Sequence, residues 1–315
     1  MTFYSARDFD PFMHLATEQW LLSHTTDTIL YLWRSDPCVV IGRHQNPWLE
    51  VNLHELQQRG MPLVRRESGG GTVYHDHGNL NYAFIGDTDA FSASVHADLI
   101  AGSLHRLGVD VQVSGRSDLF VGSTKVGGAA FRHSKGRSLH HGTVLVDANL
   151  PALAAVLKPA YGPDVHVSGA AIPSVRADTA NLADLVEGLT MERVIDAIRT
   201  ELMERVAGDA GVAGDVQVHE APPEGPAEGR ESTAWIRSHA EFLQSDEWRY
   251  AKTPRFGVTI GDGQTGMQAA LSFDVQKGYV TGVEPGDHIC ADELEGCFLP
   301  ELDLTELAAC CRNSH

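Results

Sequence analysis

The chain has 315 residues, of which 43% are hydrophobic, so it is long enough and apolar enough to bury a large core or to form two domains. Its formal net charge of −18 argues against nucleic acid and anionic membranes as main partners, because both bind basic surfaces. We expect a cytoplasmic protein, since no apolar run is long enough to cross a membrane and residues 1–11 lack the pattern of a signal peptide.

The first two thirds of the chain mix short helices and strands without strict alternation. Asp10-Pro11 predicts the cap and first residue of a helix that ends near Ser23. Asn52, followed by Glu55, has the pattern of a capping box and predicts a short helix that ends at Gly60. The other predicted elements are strands at 29–33, 38–41, 63–64, 72–74, 82–85 and 142–146, extended structure over 119–131, and helices at 94–107, 150–157 and 194–206. This mixture favours an α+β fold over a doubly wound sheet.

The last third of the chain begins with a change of composition. Residues 208–230 are rich in Gly, Pro, Glu and Asp, which predicts an exposed linker or long loop. Beyond it, residues 256–260 and 271–275 alternate like strands, with turn signals at 261–263 and 276–278, and residues 304–311 repeat at helical spacing. We therefore expect three units: a large domain over 1–207, a linker or long loop over 208–240, and a small α+β domain over 241–315.

The most informative motif is Arg65-Arg66-Glu67-Ser68-Gly69-Gly70-Gly71, which opens a stretch of short polar residues up to Asn81. Three consecutive glycines lose much conformational freedom on folding, and they allow backbone N–H groups to approach an anion directly. Arg65 or Arg66 could add bidentate contacts to that anion. A bare Gly-Gly-Gly is more often a hairpin turn, but the density of the surrounding pattern favours an anion site.

A second cluster follows, in the motifs Gly115-Arg116-Ser117-Asp118, Lys125-Val126-Gly127-Gly128 and His140-His141-Gly142-Thr143. Together with the first motif it predicts a locally positive pocket in an acidic protein, and small anions are the best candidate ligands. Taken singly, a lysine beside glycines or a histidine pair beside a strand is usually structural. His75-Asp76-His77 lacks a third metal ligand at a recognisable spacing, so a pocket histidine is favoured over a metal site.

Taken together, these motifs resemble the lipoate-protein ligase family. Other matching segments are residues 33–46, 173–176, 181–182, 248–256 and 273–278. The resemblance implies a biotin/lipoyl protein ligase-like catalytic domain with a small α+β C-terminal domain that can move relative to the active site. It also implies a reaction in which lipoate and ATP give lipoyl-AMP and pyrophosphate.

The resemblance further implies partners for the second step of that reaction. The lipoyl group would pass to a lysine of lipoyl domains of 2-oxoacid dehydrogenases, or of the H protein of glycine cleavage. Octanoate is a possible alternative to lipoate, Mg²⁺ is expected through the ATP phosphates, and a monomer is the default.

The resemblance also implies roles for single residues. Lys125 would be an electrostatic clamp between the acyl carbonyl and the adenylate phosphate, because adenylation depends on positioning and charge stabilisation. The expected nucleotide contacts, besides Lys125, are Arg66, Gly71, Thr72, Val73, Tyr74, Ser117 and Asp118. The expected lipoate contacts, besides Lys125, are Ser68, Gly69, Gly70, His75, Gly128, Arg132 and His141.

Three positions depart from the family pattern. Ser117 stands where the family usually has Asn, Gly127 where Ser or Ala is common, and Ala251 where Gly is frequent. These small substitutions put individual nucleotide contacts in question, but not the reaction.

Three alternatives remain open. An acyltransferase of the same fold would need a cysteine thioester, yet no cysteine lies between Cys38 and Cys290, and Cys38 belongs to an apolar strand. Sequence motifs barely distinguish a lipoyltransferase that uses preformed lipoyl-AMP from a full ligase, since both bind the same intermediate. A non-catalytic binding protein would not need Lys125 together with Arg66 and the glycine motif.

Overall fold

The computed structural model describes residues 1–208, 217–219, 230–261, 271–285 and 291–313. The first half contains β1 Thr2–Ser5, α1 Pro11–His24, β2 Ile29–Trp33, β3 Cys38–Ile41, α2 Pro47–Glu50, α3 Leu53–Gln58, β4 Leu63–Arg65, β5 Val73–His75, β6 Asn79–Asp87, α4 Ala93–His105, β7 Val111–Val113, β8 Leu119–Val121, β9 Thr124–Gly127, β10 Ala129–Ser134 and β11 Arg137–Leu145. The second half contains α5 Leu150–Val156, β12 Val165–Gly169, α6 Leu182–Leu185, α7 Met191–Gly208, β13 Gln217–His219, α8 Arg230–Gln244, α9 Asp246–Arg249, β14 Phe256–Ile260, β15 Leu271–Gln276, β16 Tyr279–Pro285, α10 Ala291–Leu294, a 3-10 turn Leu299–Glu301 and α11 Leu304–Asn313. The predicted α+β class is confirmed.

A six-stranded sheet in the order β10-β11-β6-β2-β1-β13 forms the centre of the large domain. Its strand β2 is buried along its whole length, and successive side chains enter two different cores. Leu30 and Leu32 pack with α4 and α7 on one face, whereas Tyr31 and Trp33 pack with α1 on the other. The sheet therefore separates two hydrophobic cores, and α1 lies on the same face as Trp33.

Two three-stranded sheets hold the sequence motifs beside this central sheet. In the order β4-β3-β5, β3 runs parallel to β4 and antiparallel to β5, so the glycine motif crosses over from one edge to the other. In the order β7-β8-β9, a register shift follows Leu119, and Lys125 lies opposite Phe120. The glycine motif thus connects β4 to β5, and the lysine motif lies on β9.

The C-terminal part has a four-stranded antiparallel sheet in the order β12-β14-β15-β16. Strand β12 comes from the first 207 residues, and it pairs with β14 along five positions from Val165 to Gly169. Trp48 of α2 packs in the core of this sheet, 4.9 Å from the ring centroid of Phe256. Within the expected linker, β13 pairs with β1 and α8 begins at Arg230. The predicted boundaries between the three units stay a prediction.

The predicted helix caps form with one difference. Asp10 accepts hydrogen bonds from the backbone N–H of Phe12 and Met13, which confirms the first cap. Asn52 caps α3 through the N–H of Glu55 at 3.1 Å, but the Asn52 N–H donates to the carbonyl of Val156, so the capping box is not reciprocal. The predicted turn at 261–263 lies partly outside the described residues. Within those residues, we find no helix with the length and apolar composition of a membrane span.

Candidate active site

A cleft in two connected lobes lies between the glycine motif, strands β9 to β11 and residues 172–177. The first lobe has a volume of about 290 Å³ and extends from Lys125 to the buried side chains of Trp33 and His75. The second lobe, also about 290 Å³, extends from Lys125 to Tyr74 and Leu157. Lys125, Gly128 and Thr143 line both lobes. Lys125 therefore lies at the junction of the two lobes.

Strand β9 and the turn before β8 fix the position of Lys125. Its backbone N–H donates to the carbonyl of Asp178 at 2.8 Å, and its Nζ lies 3.0 Å from Oδ1 of Asp118. The lysine side chain is 23% exposed, so its charge can reach a ligand in either lobe. A Cβ at Gly128 would lie only 3.2 Å from the lysine Nζ, so a glycine there leaves room for the ammonium group. The junction thus holds a partly exposed cation with one carboxylate partner.

Arg66 shapes the glycine motif from behind. Its guanidinium donates to the carbonyls of Gly69 at 2.7 Å, Gly71 at 2.6 Å and Val40 at 3.2 Å. Burial lowers the Arg66 pKa to about 10, which still leaves the group charged at neutral pH. The carbonyl of Gly70 would lie 2.2 Å from a Cβ at Gly42, so this close approach needs a glycine directly after β3. Arg66 lines the first lobe, but most of its donors are bound by the turn itself.

Arg65 has a different position from its neighbour and does not contribute a cation to the cleft. Its side chain is fully buried and donates to the carbonyl of Arg249 at 2.7 Å and to Oγ1 of Thr253 at 2.8 Å. In return, Nε1 of Trp248 donates to the Arg65 carbonyl at 2.6 Å. Arg65 therefore attaches the segment around α9 to strand β4, and its side chain does not line the cleft in which the sequence suggested an anion contact for it.

A chain of hydrogen bonds closes the buried end of the first lobe. Nδ1 of His141 lies 2.8 Å from Oε2 of Glu18, and Nε2 of His141 lies 2.7 Å from Oγ of Ser68. The other carboxylate oxygen of Glu18 accepts from Nε1 of Trp33 at 2.9 Å. Because Ser68 also accepts from Arg66, the chain joins α1, β2 and β11 to the glycine motif. Its members thus fix one another's positions through side-chain hydrogen bonds.

His75 is the exception at this buried end. Within the described residues, neither of its ring nitrogens has a hydrogen-bond partner, and the residue is only 4% exposed. Burial, with Arg66 and His141 nearby, lowers the His75 pKa to about 3, so the ring is neutral at physiological pH. Nδ2 of Asn81 also lacks a partner among the described residues and lines the same lobe. Both groups can hydrogen-bond a ligand in the first lobe.

Residues 172–175 cover the glycine motif from outside. Oγ of Ser174 accepts from the backbone N–H of Thr72 at 2.8 Å and from Nε2 of Gln45 at 3.0 Å. Ile172 and Val175, on either side, are more than half exposed although they line the cleft. This segment therefore forms the outer wall of the junction.

The structure brings most of the predicted site residues together. The first lobe is lined by Arg66, Gly70, Gly71, Thr72, Val73, His75, Asp118, Lys125, Gly128 and His141. Tyr74 lines the second lobe, and Ser68 and Arg132 line a small recess behind the first lobe. Gly69 and Ser117 are absent from the described lining of all three spaces. The contacts proposed for these residues stay predictions.

The lining residues that sequence reasoning did not single out include Glu18, Trp33, Asn81 and Ser174. Trp33 and Ser174 lie in segments that match the ligase family, which was an available signal. Glu18 follows Leu15 on the buried face of α1, and its exposure of 2% is unusual for a carboxylate. That burial depends on partners far away in sequence, so the sequence carries no local sign of it.

The described residues show neither a metal centre nor a reactive thiol in this cleft. No group of three or more His, Cys, Asp or Glu side chains among them is placed to hold a metal ion. Cys38 is fully buried in β3, and burial raises its pKa to about 12, although Ser35 lies within hydrogen-bonding distance. The expectation that Cys38 is a core residue is confirmed.

Comparison with known proteins gives consistent matches. Residues 10–203 match the family model of the lipoyl protein ligase A/B catalytic domain. Lipoate-protein ligase A of Psychrobacter cryohalolentis is 36% identical over 253 residues, which cover 78% of this chain and 71% of that protein. The fold resembles that of P. falciparum LipL1 in complex with lipoate, with a TM-score of 0.67 and 23% identity over 90% of this chain and 83% of the other. It also resembles a lipoate-protein ligase A bound with ATP, with a TM-score of 0.62 and 25% identity over 79% of this chain and 98% of the other.

Proposed function

This chain belongs to the lipoyl protein ligase A/B family, and on that premise we propose that it is an ATP-dependent lipoate-protein ligase. It activates lipoate to lipoyl-AMP with release of pyrophosphate, and it then transfers the lipoyl group to a lysine of an acceptor protein. The observation that carries this proposal is the position of Lys125 at the junction of two lobes.

The first lobe suits a lipoyl or octanoyl chain. Leu15, Trp33 and Val40 supply apolar surface, while the neutral ring of His75 offers one donor and one acceptor. An acyl chain that extends from these residues would place its carboxylate beside Lys125. The backbone of Gly70 and Gly128 leaves space for a close approach at that point.

The second lobe suits the nucleotide. Tyr74, Leu145 and Leu157 offer a surface for a flat base, and Lys158 and Arg176 add positive charge toward the opening. The phosphates would lie between this lobe and Lys125, within reach of the backbone from Gly71 to Tyr74. Asp118 accepts from the N–H of Ala129 and from Lys125, so it orients the lysine.

The chemistry follows from charge. An oxygen of the lipoate carboxylate attacks the α-phosphorus of ATP, a P–O bond to the leaving pyrophosphate breaks, and a mixed anhydride forms. Two anions must approach each other, so the ammonium group of Lys125 lowers the barrier by compensating charge that develops between them. Mg²⁺ would bind through the ATP phosphates, and there it would neutralise charge on the leaving pyrophosphate.

In the second step, the amine of the acceptor lysine attacks the carbonyl, AMP leaves, and an amide forms with loss of one proton. We propose lipoyl domains of 2-oxoacid dehydrogenases or the H protein of glycine cleavage as acceptors, which extends the sequence resemblance. Among the described cysteines, Cys38 is buried with a raised pKa, which disfavours a thioester route through that residue.

A lipoate-dependent ATP–pyrophosphate exchange assay tests the proposal directly. The purified chain is incubated with ATP, labelled pyrophosphate and lipoate, then with octanoate in place of lipoate. Label should enter ATP only when one of the acids is present. Absence of exchange, combined with transfer from synthetic lipoyl-AMP, would instead identify a transferase that uses a preformed adenylate.

A further inference from the structure

The glycine motif contains a carboxylate, Glu67, that faces a recess behind the cleft. Glu67 lies between Arg66 and Ser68, and its side chain is 17% exposed. Two side chains hold it, since Oε2 of Glu67 lies 2.8 Å from Nη1 of Arg132 and 3.4 Å from Nε2 of His239. Burial alone would raise the Glu67 pKa, but the hydrogen bonds from His239 and Arg132 lower it, so the group is ionised at neutral pH.

Glu67 occupies the recess directly behind the buried end of the first lobe. Glu18, Arg66 and His141 line both the recess and the first lobe, so one layer of side chains separates them. Arg132 also donates to Oε1 of Gln19, the neighbour of Glu18 on α1, at 2.6 Å. Through Arg132, the Glu67 carboxylate is thus connected to α1 at Gln19, next to Glu18, but it does not line the lobe itself.

Helix α8 supplies the third side of this recess. The ring of His239 stacks on Trp235 one turn earlier, with centroids 4.7 Å apart and an interplanar angle of 15°. Leu243, one turn later, lines the recess. Trp235 in turn contacts His24 at the end of α1, so the stack fixes the direction of the histidine ring.

We propose that Glu67 is a positioning residue, held by Arg132 from β10 and by His239 from α8, which fixes the turn from Arg66 to Gly71 and thereby sets the affinity for the acyl substrate. Arg132 then acts through Glu67, although the sequence predicted a direct lipoate contact for it. The proposal rests on the proposed ligase function for its substrate, but its geometry does not depend on that function.

Three single variants and one matched control test this role. Glu67→Gln keeps the size of the side chain and removes its charge. His239→Phe keeps the stack on Trp235 and removes the hydrogen bond, whereas His239→Gln keeps a donor. Glu241→Gln, which changes an exposed carboxylate on the same helix, is the control.

We expect Glu67→Gln and His239→Phe to raise the KM for lipoate about fivefold to tenfold in the exchange assay, with kcat and the KM for ATP within about twofold. His239→Gln should restore a KM near that of the wild type, and the control should match it. Hydrogen exchange supplies a readout independent of activity: backbone amides of residues 67–72 should exchange roughly tenfold faster in the two weakened variants than in the control.

An unchanged lipoate KM together with unchanged amide protection in both weakened variants would overturn the proposal. An equal rise of both KM values would also overturn it, because that result indicates general loosening of the fold. If the wild type shows no lipoate-dependent exchange, the ligase function fails instead, and the amide protection of the variants alone decides whether Glu67 positions the turn.

Discussion

The junction and the buried end of the first lobe differ in how their polar groups are held. At the junction, the Lys125 ammonium group has Asp118 as its carboxylate partner and stays partly exposed. At the buried end, Glu18, His141 and Ser68 are already bound to one another within a layer that excludes solvent. We infer that the junction supplies positive charge to the reacting groups, whereas the buried end supplies a fixed shape that selects the ligand.

Removal of the junction cation should have the largest effect. In Lys125→Ala we expect kcat for lipoate-dependent pyrophosphate exchange to fall about a thousandfold, because the developing charge loses its compensating ammonium group. The melting temperature should change little, since the side chain is partly exposed and lies outside the hydrophobic cores. Lys135→Asn, at an exposed lysine of the β10–β11 turn, is the control. Near-normal exchange by Lys125→Ala would contradict the inference that the junction supplies the charge used in the reaction.

Loss of charge at the buried end should act on binding rather than on chemistry. Glu18→Gln weakens the hydrogen bonds to His141 and Trp33 but keeps the shape of the side chain. We expect the KM for lipoate to rise about thirtyfold, because hydrogen bonds to buried charged groups contribute about 2 kcal/mol. The KM for ATP, measured with the same protein, serves as an internal control. A fall in kcat with an unchanged lipoate KM would place Glu18 in the chemistry and contradict the comparison.

The sequence predicted the junction better than the buried end, and the reason is distance along the chain. The glycine motif and the lysine motif are contiguous, so each carries its own signature. Glu18 and His141 are 123 residues apart, and nothing local marks either as the partner of the other. Arg65 and Arg66 are a second example. The two arginines are adjacent, yet the side chain of Arg65 binds the segment around α9 and that of Arg66 binds the glycine motif, and the contact with α9 is distant in sequence.

The fold shows a similar division between local and distant signals. Alternating residues predicted β14 and β15, and helical spacing predicted α1, α4 and α7. The pairing of β12 with β14 could not be predicted, since four helices, α6 to α9, and strand β13 separate these strands in the sequence. Half of the capping box at Asn52 failed for a comparable reason, because its N–H donates to a carbonyl in α5.

Stability at mildly acidic pH should depend on the face of β11 that lies behind the buried end. His140 points away from the cleft into an aromatic cluster with Phe84, Phe131 and His96. Burial, together with His96 and His141, lowers the His140 pKa to about 3, and burial lowers the His96 pKa to about 4.

Because the folded pKa lies below the unfolded value, the unfolded chain binds more protons as the pH falls below about 6.5, and stability decreases. The contribution of neutral His140 to the free energy of unfolding is therefore complete above about pH 6.5. Between about pH 7 and pH 5, the wild type should lose roughly 2 kcal/mol more than His140→Phe. Urea unfolding of both proteins at each pH measures this difference. Parallel pH profiles would show that His140 does not titrate on unfolding.

The smallest effect concerns backbone strain next to the junction. Ser117 has a φ of 62°, a left-handed conformation that asparagine tolerates better than serine. The turn is otherwise well bonded, since the Ser117 N–H donates to the carbonyl of Ser114 and the Asp118 N–H donates to Oγ of Ser114. Asn, the residue that the resemblance leads one to expect here, should therefore relieve strain without moving Asp118.

We expect Ser117→Asn to raise the free energy of unfolding by about 0.5 kcal/mol, measured by urea denaturation, with no change in exchange activity. Ser117→Gly is the informative partner variant, because it also accepts a positive φ but adds no side chain. If Ser117→Asn lowers the KM for ATP and Ser117→Gly does not, the side-chain amide of the asparagine contacts the nucleotide. The junction then contributes to ligand selection as well as supplying charge. If neither variant changes that KM, the position matters only for the conformation that presents Asp118 to Lys125.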